Sequence, residues 1–245
     1  FILSDEYFQS SLAPWKGAGV AIPVFSLRSE KSLGVGEFRD LHLMADWAKK
    51  TGLRLVQVLP VNDTTVNYTW TDSYPYSAIT VFALHPLFLA LDGIPGAEKV
   101  IGKKALADAR KRLNQSQTVD YDEVINLKKS WGRKIYDAQA SVFLKSPEFQ
   151  TFFEENRYWL EPYAVFCYLR DRYQTADFAQ WKEHAVYHAD LLTALASPDK
   201  PTYPDVAFFY FQQFYLDQQL RQATEYAREQ GVVLKGDLPI GIYRH

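Results

Sequence analysis

Gly19-Val20-Ala21-Ile22-Pro23-Val24-Phe25 and Leu53-Arg54-Leu55-Val56-Gln57-Val58-Leu59 are short, apolar, β-branched runs, and the stretch between them decides the fold. Each has the length and composition of a buried strand. Pro23 cannot donate to a ladder, which argues for a strand end or an edge position, and Pro60 ends the second run. Between them lies the turn Ser32-Leu33-Gly34-Val35-Gly36, followed by Phe38, Leu41, Ala45 and Ala48 on one helical stripe. Gly52 stands where such a helix would be capped. Strand, helix, strand at this spacing is a βαβ unit, and it predicts parallel pairing of residues 20–24 with 53–59.

Outward from this unit, residues 62–76 are polar, aromatic and without period, which reads as a long loop of the kind that usually carries function. Helical patterns follow over 98–113, 122–144, 158–173 and 178–195, punctuated by Ser146-Pro147 and by Ser197-Pro198-Asp199-Lys200-Pro201. A last helix over 205–230 carries Phe209, Phe211, Phe214, Leu216 and Leu220. Gly231 closes it, and Val232-Val233-Leu234-Lys235-Gly236-Asp237 makes a third buried strand, expected parallel to the second. Three strands interrupted by a helical block fit a parallel α/β barrel with a helical insertion, the alternative being an open doubly wound sheet.

Composition narrows the classes. A hydrophobic content of 47% against 23% charged residues can bury a sizeable core. A formal net charge of -2 gives no electrostatic reason to expect nucleic acid or anionic lipid as partners. A single cysteine, Cys167, excludes an internal disulfide framework and fits a reducing, cytoplasmic setting. No apolar run is long enough to span a membrane, and no basic-then-apolar leader is visible. The chain opens on Phe1 and its only methionine is Met44, so an internal stretch of a longer polypeptide is expected.

Ligands of parallel α/β folds bind at the C-terminal ends of the strands. That rule selects the loop after Phe25, the loop after Leu59, and Asp237. The second loop holds Tyr68, Trp70, Asp72, Ser73, Tyr74 and Tyr76, rings interleaved with hydroxyls and a carboxylate. Such a set can stack on a sugar ring and bind its hydroxyls, or it can pack down on its own aromatics. Asp237, leaving an apolar strand, can serve a ligand or accept backbone N–H bonds in its own loop. Three further features read as structural. Gly34-Val35-Gly36 has Arg39 where a dinucleotide fingerprint needs its third glycine, so a tight turn is expected. His184 and His188 lie four apart in a helical pattern, but Ala185 replaces the metalloprotease glutamate, so they are expected to face solvent and hold no metal. Cys167, in Val165-Phe166-Cys167-Tyr168-Leu169, is expected to be inert core.

The same residues resemble glycoside hydrolase family 77, the amylomaltases or disproportionating 4-α-glucanotransferases. Residues 32–41, SLGVGEFRDL, resemble the family's first βα loop and helix, and 57–64, QVLPVNDT, its second strand and turn. Ser73-Tyr74-Pro75-Tyr76-Ser77 with Phe82-Ala83-Leu84-His85-Pro86 resembles its Ser-Pro-Tyr loop. Lys235-Gly236-Asp237-Leu238-Pro239-Ile240-Gly241 resembles its Gly-Asp-x-Pro-Ile strand. Asn62-Asp63-Thr64 and His85 are similar to the branch that includes plant cytosolic enzymes, whose members often carry starch-binding modules N-terminal to the barrel.

The resemblance implies a partial parallel (β/α)8 TIM-type barrel with a mostly helical insertion. Residues 1–95 would hold the first strands and the substrate loop, 96–203 the helical insertion, and 204–245 the long helix and third strand. It implies retaining transfer of α-1,4-glucan segments between maltooligosaccharides, with no cofactor and no metal. The family's Arg-x-Asp nucleophile, Gly-Glu-Asp acid and further transition-state Asp follow Gly-Asp-x-Pro-Ile. This chain ends at Tyr243-Arg244-His245, so none of the three maps onto it, and all are expected downstream of His245. The chain is accordingly expected to be inactive alone and to need the remainder of the polypeptide. What carries over is Tyr76, placed over the sugar at the cleavage point, and Asp237, in the first conserved acidic region. Trp70, Ser73 and Tyr74 join them as expected substrate contacts. A carbohydrate-binding or interaction module without chemistry is the alternative. An unrelated α/β hydrolase would need a nucleophile elbow, phosphate loop or metal cluster that the sequence does not display.

Overall fold

The computed structural model describes residues 17–243. The outermost residues of the 1–95 and 204–245 segments, Phe1 and His245 among them, lie outside the described residues, and so do the catalytic positions expected beyond His245. The strands are β1 (Gly19–Ile22), β2 (Leu55–Val58), β3 (Ser77–Ala78), β4 (Val233–Lys235) and β5 (Gly241–Ile242). The helices are α1 (Asp40–Lys50), α2 (Ala97–Ile101), α3 (Lys103–Asn114), α4 (Tyr121–Phe143), α5 (Pro147–Tyr173), α6 (Ala189–Ala196) and α7 (Tyr203–Glu229). The architecture is mostly helical around a small parallel sheet of order β1-β2-β4. Val20 stands opposite Val56 and Leu55 opposite Val233, both pairings parallel as the βαβ spacing requires.

Helices α1 and α7 pack together and cover one face of this sheet. Val56 and Val58 of β2 are buried there with Leu41, Ala45, Ala48, Ala223 and Ala227. The expectation of three buried strands is corrected by the other two. Val233 is 48% exposed, and β1 alternates between exposed and half-buried. The reason is position: β1 and β4 are the edges of the sheet, and only β2 has a neighbour on each side. Gly36 fits the turn before α1 because a Cβ there would lie 1.8 Å from the Val24 carbonyl oxygen. The Gly34-Val35-Gly36 segment is thus packed against the end of β1, as a tight turn.

Two helical expectations also need correction. The 158–173 pattern belongs to a helix that starts at Pro147, with Ser146 as its N-cap accepting from the Phe149 N–H at 3.4 Å. Ser146-Pro147 is a helix start rather than a linker. The 178–195 pattern resolves into two 3₁₀ turns and the short α6, interrupted where Lys182 adopts φ 51°. His184 and His188 therefore do not share a helix. His184 is half-buried with its Nδ1 2.8 Å from the Tyr173 hydroxyl, while His188 is exposed.

Most of the aromatic enrichment is core. Phe143 packs on Phe149 at 4.5 Å and on Phe211 at 4.9 Å, and one continuous cluster joins this helical core to Val24, Val56 and Val232 near the sheet. Cys167 lies inside it with no exposed surface, and burial pushes its thiol up to about 12, which keeps it inert as expected. No described helix is long and apolar enough to cross a membrane.

A buried ion pair adds a polar tie between the helical block and the turn before α1. Lys128 of α4 donates through Nζ to Glu37 Oε1 at 2.7 Å, to the Leu87 carbonyl at 2.7 Å and to the Leu89 carbonyl at 2.9 Å. Both charged side chains are buried, and burial lowers the Lys128 pKa from its ordinary value. Lys128→Met should lower the urea midpoint by an amount equivalent to about 3–5 kcal/mol, because Glu37 loses its closest buried partner. Adding Glu37→Gln should recover part of that loss.

Candidate functional site

The 62–76 loop leaves the C-terminal end of β2 and is shaped by its own carboxylates. Asp63 Oδ1 accepts from the Thr65 N–H at 2.9 Å. Asp72 Oδ2 accepts from the N–H groups of Val66, Asn67 and Tyr68 at 2.9, 2.7 and 2.8 Å. Burial pushes the Asp72 carboxyl above its ordinary value, against the pull of those N–H bonds. Asp72 and Tyr68, for which sugar contact and inward packing were both open, are turned inward. Asp72 is buried, and the Tyr68 hydroxyl points at Asp171, 3.0 and 3.2 Å from its two oxygens.

Trp70, Ser73 and Tyr74 of the loop face outward. Trp70 is 69% and Tyr74 62% exposed, and Ser73 is exposed beside them. Trp70 and Ser73 line a cavity of about 370 Å³ with Phe25, Pro60, Pro75 and Tyr121, where the loops after β1 and β2 meet. That volume lies in the range of about 300–1,000 Å³ typical of small-molecule sites. The Tyr74 and Tyr76 rings lie 5.7 Å apart.

Tyr76 and Asp237, 161 positions apart, meet through a 2.9 Å hydrogen bond from the Tyr76 hydroxyl to Asp237 Oδ2. This bond raises the Tyr76 pKa above its ordinary value. The parallel β3–β5 pair brings them together, with Ser77 opposite Gly241. A Cβ on Gly241 would lie 2.6 Å from the Tyr76 carbonyl oxygen, so the close approach needs a glycine. Asp237 Oδ1 also accepts from the Leu238 N–H at 3.0 Å, so it acts in its own loop as well. Tyr76 and Asp237 are not among the lining of the 370 Å³ cavity, which reaches the loop from the Trp70 and Ser73 side. Among the described residues, no group of three or more His, Cys, Asp or Glu is arranged to hold a metal ion.

Several residues at this end of the fold carry no local sequence signal. Tyr163 and Arg170 reach the loop from α5, and Tyr121 and Asp122 reach it from α4. The one hint was Arg170, a charged residue directly after the apolar run 165–169. His85 is buried: its Nδ1 accepts from the Leu87 N–H at 3.1 Å, which places the ring proton on Nε2, 3.1 Å from the Tyr121 hydroxyl. Burial lowers its pKa from 6.5 to about 4.

A family profile described as 4-alpha-glucanotransferase matches residues 22–245. The chain is 45% identical over 244 residues to the 4-alpha-glucanotransferase DPE2 of Oryza sativa subsp. japonica, covering 100% of this chain and 26% of that protein. It is 32% identical over 223 residues to the 4-alpha-glucanotransferase of Chlamydia muridarum, covering 91% of this chain and 41% of that protein. The chain thus spans well under half the length of these relatives. Among solved structures, amylomaltase from Corynebacterium glutamicum superposes with a TM-score of 0.73 at 19% identity, over 97% of this chain and 32% of that one. Amylomaltase from Streptococcus agalactiae in complex with acarbose gives 0.73 at 21% identity, over 93% and 44%. At such identities the structures establish a shared fold.

His85 makes the site's support sensitive to acid. The folded chain holds His85 neutral down to pH about 4, whereas an unfolded histidine takes up a proton near 6.5. The unfolded state therefore binds more protons between these values. Stability is fully present above about pH 6.5 and is lost as pH falls towards 4, by about 3 kcal/mol in total. Melting temperatures recorded from pH 7 to pH 4.5 should fall less steeply for His85→Gln than for the parent sequence.

Proposed function

Because the chain belongs to the 4-alpha-glucanotransferase family, glycoside hydrolase family 77, we propose that it forms one flank of the glucan site of such an enzyme. In this reading β1, β2 and β4 are strands of a parallel (β/α)8 barrel. Residues 96–203 are its helical insertion, between segments 1–95 and 204–245. The whole protein transfers α-1,4-glucan segments between maltooligosaccharides by a retaining mechanism. A carboxylate takes the glycosyl unit while an acid protonates the departing sugar, and a sugar hydroxyl then displaces the carboxylate. Both groups come from the remainder of the polypeptide, downstream of His245, so these 245 residues alone catalyse no disproportionation. A reducing, cytoplasmic setting belongs to the same reading, supported by the buried thiol of Cys167.

The observation that carries the proposal is the Tyr76–Asp237 hydrogen bond at the C-terminal ends of the strands. Tyr76 offers a ring face to a sugar, and Asp237 accepts from its hydroxyls. Trp70 and Tyr74 add exposed rings on the same loop, and Ser73 a hydroxyl. Backbone bonds already hold the loop, so little ordering entropy remains for binding to supply.

In the full-length polypeptide, Tyr76→Ala and Asp237→Asn should each lower turnover of maltotriose by about a hundredfold while melting behaviour stays near the parent's. Near-parental turnover in both variants would remove these residues from the site. Sustained release of glucose and longer dextrins by the purified 245-residue chain would overturn the division of catalytic labour.

A further inference from the structure

The geometry points to Arg170, Asp171 and Tyr163 of α5 as positioning residues that hold the 62–76 loop in its sugar-presenting shape. This inference rests on the glucan-site reading of that loop. It gives the helical block a role in substrate binding that none of the loop's own residues reveals.

The grip is distributed along the loop. At its start, the Tyr163 hydroxyl donates to Asp63 Oδ2 at 2.7 Å, while Asp63 Oδ1 turns the backbone at Thr65. Two residues on, buried Arg170 donates through Nη1 to the Thr65 carbonyl at 2.7 Å. Its Nη2 reaches the Tyr68 hydroxyl, and its Nε donates to Asp171 Oδ1 at 3.0 Å. The guanidinium carbon also lies 4.7 Å from the Tyr68 ring centroid, and Lys129 Nζ lies 3.7 Å from it. Lys129 pairs with Asp171 at 2.8 Å, closing the set of charges. From α4, Asn126 donates to the Tyr68 carbonyl at 3.3 Å, and Asp122 accepts from the Trp70 N–H at 2.5 Å.

Tyr68 is where this grip matters most. It adopts φ 58°, a left-handed conformation that costs a non-glycine residue about 1–2 kcal/mol. Its hydroxyl and ring contacts to Arg170, Asp171 and Lys129 offset that cost. Burial pushes the phenols of Tyr68 and Tyr163 well above their ordinary pKa, so both stay protonated and can donate. The turn at Tyr68 is followed directly by Trp70 and then by Ser73, Tyr74 and Tyr76. Releasing Tyr68 frees that stretch to relax away from the sugar. Arginine is specifically suited here, because its fork reaches a carbonyl, a hydroxyl and a carboxylate at once, whereas lysine offers a single point.

The test uses the full-length polypeptide with maltotriose as substrate. Tyr68→Phe removes one oxygen and keeps the ring, and Arg170→Lys keeps the charge and removes the fork. Each should raise KM about tenfold, the order expected for losing a hydrogen bond to a charged group, while kcat falls by much less. The double variant should be little worse than either single one, because both release the same turn. Lower melting temperatures with parental KM in both single variants would reduce the network to ordinary packing and overturn the inference. A parent polypeptide that transfers no glucan would instead sink the functional reading, and this inference with it.

Discussion

Lys128 Nζ satisfies a carboxylate and two backbone carbonyls from a buried position, and that contact draws three separate parts of the chain together. Taking an ammonium out of water costs several kcal/mol, which only full pairing can offset. Glu37 supplies the charge. Arg39 holds its other oxygen at 2.6 Å and Asp92 at 2.7 Å, so the buried pair runs outward into a half-buried network. The partners come from separate places: Glu37 from the turn before α1, Leu87 and Leu89 from the 3₁₀ turn Pro86–Phe88 and the residue that ends it, and Lys128 from α4. One side chain therefore links the helical block to the βαβ unit, beside the apolar cluster that also joins them.

The segment over 84–90 bridges Asn62 at Leu84, turns through a 3₁₀ turn at Pro86–Phe88 and forms no strand beyond it, and α7 supplies further backbone partners. Gln213 accepts from the Leu84 N–H and donates to the Leu84 carbonyl, both at 2.8 Å. Gln219 does the same for Ala90 at 2.9 Å. Each amide copies the two-bond exchange of an antiparallel neighbour, so buried backbone groups are satisfied without a strand. The loop between Asn62 and Tyr76 is thus bounded on one side by β2 and on the other by a segment clamped to a helix. From this bounded loop Trp70 and Tyr74 are presented to solvent.

The parts of this arrangement legible in the sequence are those encoded locally. The apolar runs at Val20 and Val56 and the glycine at Gly52 mark the βαβ unit, and the parallel pairing followed from spacing alone. The start of α5 was missed because Tyr158 begins the more regular apolar pattern, while the real signal was Ser146 before Pro147. Over 178–195, apolar residues recur often enough to mimic a helix, yet Lys182 turns left-handed and breaks it. The strand-end rule and the motif resemblance both pointed to Tyr76 and Asp237, whereas the β3–β5 pairing that joins them left only Gly241 as a trace. Composition could not separate Asp72 from a ligand carboxylate. An aspartate that caps its own loop and one that binds a sugar differ in which way they point, and only tertiary structure decides that.

The pairing of Tyr76 with Asp237 bears on how such a site can be both formed and open. A phenol hydroxyl and a carboxylate bonded to each other at a half-buried position are already satisfied. A sugar hydroxyl that replaces Tyr76 as donor to Asp237 exchanges one hydrogen bond for another, so the net gain from that contact is small, about 1 kcal/mol. In the proposed site the larger contribution would then come from ring-face contact with Tyr76, Tyr74 and Trp70, which loses no partner when a sugar arrives. On the proposed glucan reading, the polar pair would set where a sugar sits and the exposed rings would supply affinity. On that reading the rings would be useful only while the backbone beneath them is held, and affinity would depend on the contacts that α4 and α5 make with a loop they never adjoin in sequence.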